Sequence, residues 1–442
     1  MFVKPDNWNE LSVEERRKAR LDHWCSGEGI DFVSAEAKRA YQERAQLLRE
    51  AVELDKKPAR VPVFIAVGVY AQRRLGLTPR SLFYDQWWEA ARANTQFCLD
   101  LQPDASPFLL MFSGKAFELL DYKVMKWPDH GVAPEQSYQF VECEFMKEDE
   151  YPLLLSDPSD FILRRALPRM CGSLGALQKL PKFALGYGFV DSLLLPFALP
   201  EVQEALEVMK EAATHLLGVM QTMVAAVQDP PRHGFPQLWG PLAVAPFDAI
   251  GDTLRSTRGI MIDMYRRPDE LIAACEKYVP LMIESTLAQP SDSPFVFIPL
   301  HKGADRFMSV EQFEKFYWPS LKAVMLALIE DGFIPTPFAE GSYNQRLEFI
   351  AELPKGASLW HFDQTDMKRA AEVLGDVCCI MGNVPASLTA TGTPDQMRAY
   401  CRNLIETCAQ DGNFILTNGC QVDEAREENL HAMVAVAREY CY

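Results

Sequence analysis

The chain has 442 residues, 48% hydrophobic and 24% charged, enough to bury a large core in an ordinary globular protein. Its net charge of -17 argues against nucleic acid and against an anionic membrane surface, since both demand clustered basic residues. No apolar run approaches the ~18 residues of a spanning helix, the polar N-terminus is unlike a signal peptide, and 11 scattered cysteines suit a reducing cytoplasm.

Residues 1–58 read as a charged helical extension, a cap packed outside the main fold. The first strong strand is RVPVFIAVG, Arg60 to Gly68, and the second is PFLLMFSG, Pro107 to Gly114. The interval of about 115–235 is too long for a loop and contains the amphipathic run EVQEALEVMKEAATHLLGVMQTMVAAV. It is expected to be a helical insertion near the barrel mouth. PQLWGPLAV and PFVFIPLHKG supply the third and fourth strands. Four further apolar runs end at Glu340, His361, Asn383 and Cys420. Helices such as VEQFEKFYWPSLKAVMLALIEDG and TPDQMRAYCRNLIETCAQDG lie between them, each stopped by a glycine. Eight strands alternating with helices predict an α/β fold, a (β/α)8 TIM barrel over 59–442. No glycine-rich dinucleotide turn follows the first strand to favour a doubly wound sheet.

In such a barrel the C-terminal strand ends carry the chemistry. Glu340, His361 and Cys420 supply a carboxylate, an imidazole and a thiolate at three of those ends. They are the predicted ligands of one Zn²⁺ with an open fourth position. Asp363 falls on the same strand face as His361 and is expected to orient the imidazole. His301, closing the fourth strand, is a candidate for acid catalysis, and Asn383 for shaping the rim by hydrogen bonding. Tyr70, Phe112, Trp239 and Phe338 lie at or near strand ends and are the predicted aromatic pocket.

From about residue 58 onward the chain resembles the uroporphyrinogen decarboxylase superfamily. The resemblance rests on RVPVFIAVG, on GDVCCIMGNVPASLTATGTPDQMRAYCRNLIETCAQDGNFILTNGCQV and on the closing ENLHAMVAVAREY helix. True decarboxylases carry an arginine-rich motif of the form RQAGRY for porphyrinogen carboxylates. The corresponding stretch here is FIAVGVYAQRRLG, where Arg73 and Arg74 stand in a different context. The His-x-Cys pair of the methylthiol-forming members is also replaced, by Phe338 and Glu340, although Cys420 matches their late cysteine. Glu340 followed after twenty residues by His361 is similar to the zinc motif of O-demethylase methyltransferases acting on veratrol- and vanillate-type ethers. MKEDEYPLLLSDPSDFILRRALPR looks like that group too. Their earlier glutamate, fifteen positions before Glu340, is Met325 here, and Cys420 takes its place as third ligand.

The resemblance implies a zinc-dependent methyltransferase that demethylates a small methoxylated aromatic. The methyl group passes to cobalamin carried by a separate corrinoid protein, in the cytoplasm, and a homodimer is allowed for. Methylthiols, methylamines, methanol or tetrahydrofolate as alternative donor or acceptor, and a decarboxylase, are the competing expectations.

Overall fold

A computed structural model of the protein describes residues 2–84, 86–183 and 190–442. Helix Val13–Ser26 begins at a capping box, in which Ser12 Oγ accepts from the Glu15 amide and the Glu15 carboxylate accepts from the Ser12 amide. Together with helix Ala35–Glu53 it brings Trp24, Tyr41, Leu48 and Val52 against Phe295, Ile334, Leu359 and Cys379. Those four barrel residues open their respective strands, so the N-terminal extension closes the barrel floor. Arg20 fastens it, paired with Asp331 at 2.5 Å and lying 3.6 Å from the centre of the Phe333 ring.

The insertion contributes a small sheet of β1 (Met125–Pro128), β2 (Gly131–Val132) and β3 (Gln139–Phe140), in the order β2-β1-β3. Strands of two to four residues carry too short an alternation to be read from sequence. The rest is largely helical and ends in the long helix Pro200–Arg232.

The barrel proper contains a five-stranded parallel run of β4 (Phe295–Leu300), β5 (Ile334–Ala339), β6 (Leu359–Phe362), β7 (Cys379–Val384) and β8 (Phe414–Asn418). Three less regular staves complete it. Segment 61–67 joins β8 through the parallel bridge Val63–Leu416 and the chain just beyond β8 through Val67–Val422. The Asp104 amide donates to the Val63 carbonyl at 2.7 Å, the Ser106 amide to that of Pro236 at 2.9 Å, and the Ala243 amide to that of Phe297 at 2.9 Å. The eight staves therefore close in chain order, giving the (β/α)8 barrel. Stave two pairs from Asp104 and Ser106, a few residues before the predicted start. The strands are buried on both faces, which explains their near-continuous apolar sequences. Among the described residues no helix is long and apolar enough to cross a membrane.

Candidate active site

The third stave runs into helix Pro246–Ile250, a π-helical turn Gly251–Arg255 and then helix Ser256–Arg266. The first two place Asp248 and Asp252 against the end of β4. Asp248 is fully buried and accepts from the His301 and Lys302 amides, each at 3.0 Å, and from the Tyr317 hydroxyl at 2.6 Å. It thereby fixes the turn that follows β4. Asp252 holds the two side chains of that turn, His301 Nδ1 at 2.6 Å and the Lys302 ammonium. Close packing explains two glycines. A Cβ on Gly251 would lie 2.9 Å from the Lys302 stem, and one on Gly303 would lie 2.8 Å from Tyr317 and the Tyr343 hydroxyl.

The electrostatics of this corner separate an acid from its partners. Burial opposes charge on His301. The hydrogen bond to Asp252 and the carboxylates of Asp248, Asp252 and Glu340 outweigh it and push its pKa up to about 9. Burial likewise works against the Asp252 carboxylate, but His301 and Lys302 more than compensate, and its pKa falls. Glu340, across from His301, is raised by desolvation and by Asp363, Asp248 and Asp252, against the pull of His301. The corner is thus an imidazolium embedded in carboxylates.

His361 stands deeper. In the β5–β6 ladder it is level with Phe338, two residues before Glu340, and its ring lies 4.6 Å from that phenyl ring. Nε2–H donates to the Asn418 carbonyl at 2.8 Å, and burial drives the imidazole pKa down to about 4 despite that bond. The void it borders, about 20 Å³, is water-sized and walled by Phe64, Phe108, Trp239, Phe297 and Phe338.

Cys420 lies at the rim, in a cleft of about 620 Å³ shared with Asp363, Asn383 and Tyr400. Its thiol is raised by burial and then by the Asp363, Glu340 and Asp423 carboxylates, away from thiolate. A second cleft of about 730 Å³, lined by Arg73, Gln421 and Asp423, meets the first at Ala386.

These positions revise the predicted site. Glu340 and Cys420 share the rim, but His361 sits beneath it, with Nε2–H on the Asn418 carbonyl so that only Nδ1 could bind a metal. Among the described residues no group of three or more His, Cys, Asp or Glu side chains is arranged to hold a metal. The three predicted ligands as they stand do not fit a zinc centre. Asp363 does not orient His361 either: Oδ2 accepts from the Gly341 amide at 3.0 Å, tying the end of β6 to that of β5, and burial raises its pKa. Asn383 Nδ2 donates to the Thr365 carbonyl at 2.8 Å, shaping the cleft as expected for a rim amide. Of the aromatic quartet, Trp239 and Phe338 meet at the inner void. Tyr70 instead packs on Phe97 in the core, and Phe112 stacks on Phe83 at 4.7 Å in the insertion's aromatic cluster. Met325 is a fully buried core residue.

Asp248 and Asp252 were missed by sequence reasoning. The signal was available, as two acids spaced i, i+4 directly after the third stave in APFDAIGDTL. The π-helical turn that rotates Asp252 onto His301 was not legible.

A closed (β/α)8 barrel with titratable groups gathered at the C-terminal strand ends has the architecture of a barrel enzyme. The uroporphyrinogen decarboxylase (URO-D) family model matches residues 200–440, more than half of the chain, and the chain belongs to that family. Among solved structures, a methyltransferase from Methanosarcina mazei superposes with a TM-score of 0.52. The match covers 90% of this chain and 98% of that chain at 16% identity, a likeness of fold. No curated protein matches the sequence.

Proposed function

We propose that this URO-D family member is a methyltransferase that removes the methyl group from a small methoxylated aromatic and passes it to a corrinoid carried by a partner protein. The observation that carries the reading is the His301 imidazolium, held by Asp252 at the rim and facing Glu340. A phenoxide leaves poorly unless its oxygen is protonated or polarised. An acid with a pKa of about 9 remains charged at neutral pH and supplies that proton.

In the proposed step the methyl carbon–oxygen bond breaks and its electron pair stays on oxygen. The proton on His301 Nε2 moves to that oxygen. Asp252 keeps Nδ1–H oriented, and Asp248 holds the backbone of the turn in place. A reduced corrinoid, when bound, supplies the nucleophile that takes the methyl group. The two clefts of about 620 and 730 Å³ leave the rim open to a large partner. The residues gathered here do not fit zinc, and no part of this step depends on it. Tyr400 in the rim cleft of about 620 Å³ favours an aryl substrate over methanol or a methylamine.

Against the decarboxylase alternative, the two arginines after the first stave are already paired with carboxylates. Arg73 pairs with Glu424 at 2.9 Å, and Arg74 with Glu427 at 2.6 Å and Asp100 at 3.0 Å. The rim itself is dominated by carboxylates. The test is incubation with a reduced corrinoid protein and guaiacol- or veratrol-type ethers, in parallel with methylthiols, methylamines, methanol and uroporphyrinogen. Formation of the phenol supports the reading. Reaction with thiols alone sinks the aryl-ether assignment, and decarboxylation of the porphyrinogen sinks methyl transfer as well.

A further inference from the structure

The barrel wall is unevenly sewn. β4 to β8 pair in an unbroken parallel ladder, and segment 61–67 is bonded to β8 at Val63 and to Val422, just past β8, at Val67. Between the second and third staves the described residues form one bridge, Ser106–Gln237. Beyond it the staves part, at 107–109 and 239–241, and the gap opens into a cavity of about 430 Å³. Met223, Val224 and Val227 of the long helix cover it, and Leu109 and Pro241 form its sides. Phe108 and Trp239 border this cavity and also the inner void beside His361, so two rings form the partition between them.

Three properties define a guest. The lining is mainly apolar in surface, with the two rings of Phe108 and Trp239 on one wall. An apolar cavity of roughly 150 Å³ suffices for benzene, so a substituted single ring fits with space to spare. The indole Nε1–H of Trp239 is buried with no hydrogen-bond partner among the described residues, a donor that an oxygen substituent would satisfy once the ring turns toward the cavity on binding. We infer that this seam is a lateral binding site for a single-ring aromatic molecule carrying an oxygen, separate from the rim, with Trp239 and Phe108 as its inner wall. The inference deepens the aryl-ether reading, on which it rests for the identity of the natural guest. In that scheme the seam is a holding site for the aromatic on the far side of Trp239 from the inner void, apart from the rim where His301 and the corrinoid act.

The experiment titrates 4-iodophenol, which has no methyl group to transfer, into the full-length protein, following binding by calorimetry and by heavy-atom quenching of tryptophan emission. Saturable binding is expected, with most of the quench lost in Trp239→Phe. Val224 lines the cavity while 51% exposed, so Val224→Trp fills the space without invading the core. It should weaken binding at least tenfold with an unchanged unfolding temperature. In crystals soaked with the same probe, iodine should lie between Val224 and Trp239. Absence of saturable binding, unchanged affinity in Val224→Trp, or iodine at the rim alone overturns the inference. Binding that Val224→Trp abolishes, in a protein that transfers no methyl group from any aryl ether, would leave the seam site standing and remove the proposed function.

Discussion

Asp252→Asn isolates the electrostatic claim on which the chemistry depends. In the wild type His301 titrates at about 9, against an ordinary value of 6.5. At pH ~7.5 a group with a pKa of about 9 is roughly 97% protonated, and one at about 6.5 is roughly 10% protonated. The substitution exchanges a charged acceptor for a neutral amide oxygen and removes one of the three carboxylates facing the ring, while Asp248 and Glu340 remain and burial continues to oppose charge. Lys302 also faces this corner, and its ammonium loses the same partner. The charged fraction of His301 at pH ~7.5 should therefore fall by as much as about tenfold. The sign follows from the raised pKa: the competent acid is present below the folded pKa and is lost as pH rises through it. Two measurements check this, the histidine Cε1–H titration by NMR, assigned with His301→Gln, and the pH profile of demethylation. Both should show the alkaline limb moving from about 9 toward neutrality, with kcat falling more than KM rises. An unmoved titration in Asp252→Asn would refute the role given to that carboxylate. A shifted titration with an unmoved rate profile would refute the role given to His301.

Further outcomes concern the buried polar groups. His361 titrates at about 4 in the folded chain instead of 6.5, so the unfolded chain takes up a proton that the barrel refuses. Stability should fall as pH drops from about 6.5 toward about 4, with a slope of up to ~1.4 kcal/mol per pH unit. Urea unfolding of His361→Asn should lack that slope, and an identical pH dependence would contradict the assignment. Arg255 is buried and paired with Asp263 at 2.6 Å, and the Tyr151 hydroxyl donates to the same carboxylate at 2.7 Å. Asp263→Ala leaves the buried guanidinium with only the Met146 carbonyl and the more distant Glu144 carboxylate at 3.7 Å, and should cost up to ~3–5 kcal/mol in urea unfolding. A cost under ~1 kcal/mol would show that Arg255 finds another partner or water.

Most of the barrel was legible in the sequence because its strands are apolar runs closed by a polar residue at the rim, as in FIPTPFAEG and ASLWHFDQ. The insertion's sheet was not, since strands of two to four residues leave no periodic pattern. The rim was legible in kind but not in depth. Strand ends in the sequence pointed to Glu340 and His361, yet they could not show that His361 lies one layer below and donates to the Asn418 carbonyl. Asp252 shows the complementary failure. It is an unremarked helical acid in sequence, and a π-helical turn makes it the partner of His301. Ligand sets and proton relays depend on distances across staves far apart in the chain, and a single sequence does not encode those directly.

The most direct test of methyl transfer follows both sides of the scissile bond at once. An aryl methyl ether labelled with ¹⁴C in the methyl group and ¹⁸O in the ether oxygen is incubated with the full-length protein and a reduced corrinoid carrier protein. The account predicts ¹⁴C on the corrinoid and ¹⁸O retained in the phenol in equal amounts, with both signals strongly reduced in His301→Gln. Loss of ¹⁸O from the aromatic product, or no transfer of ¹⁴C to the corrinoid from any ether tested, would contradict it.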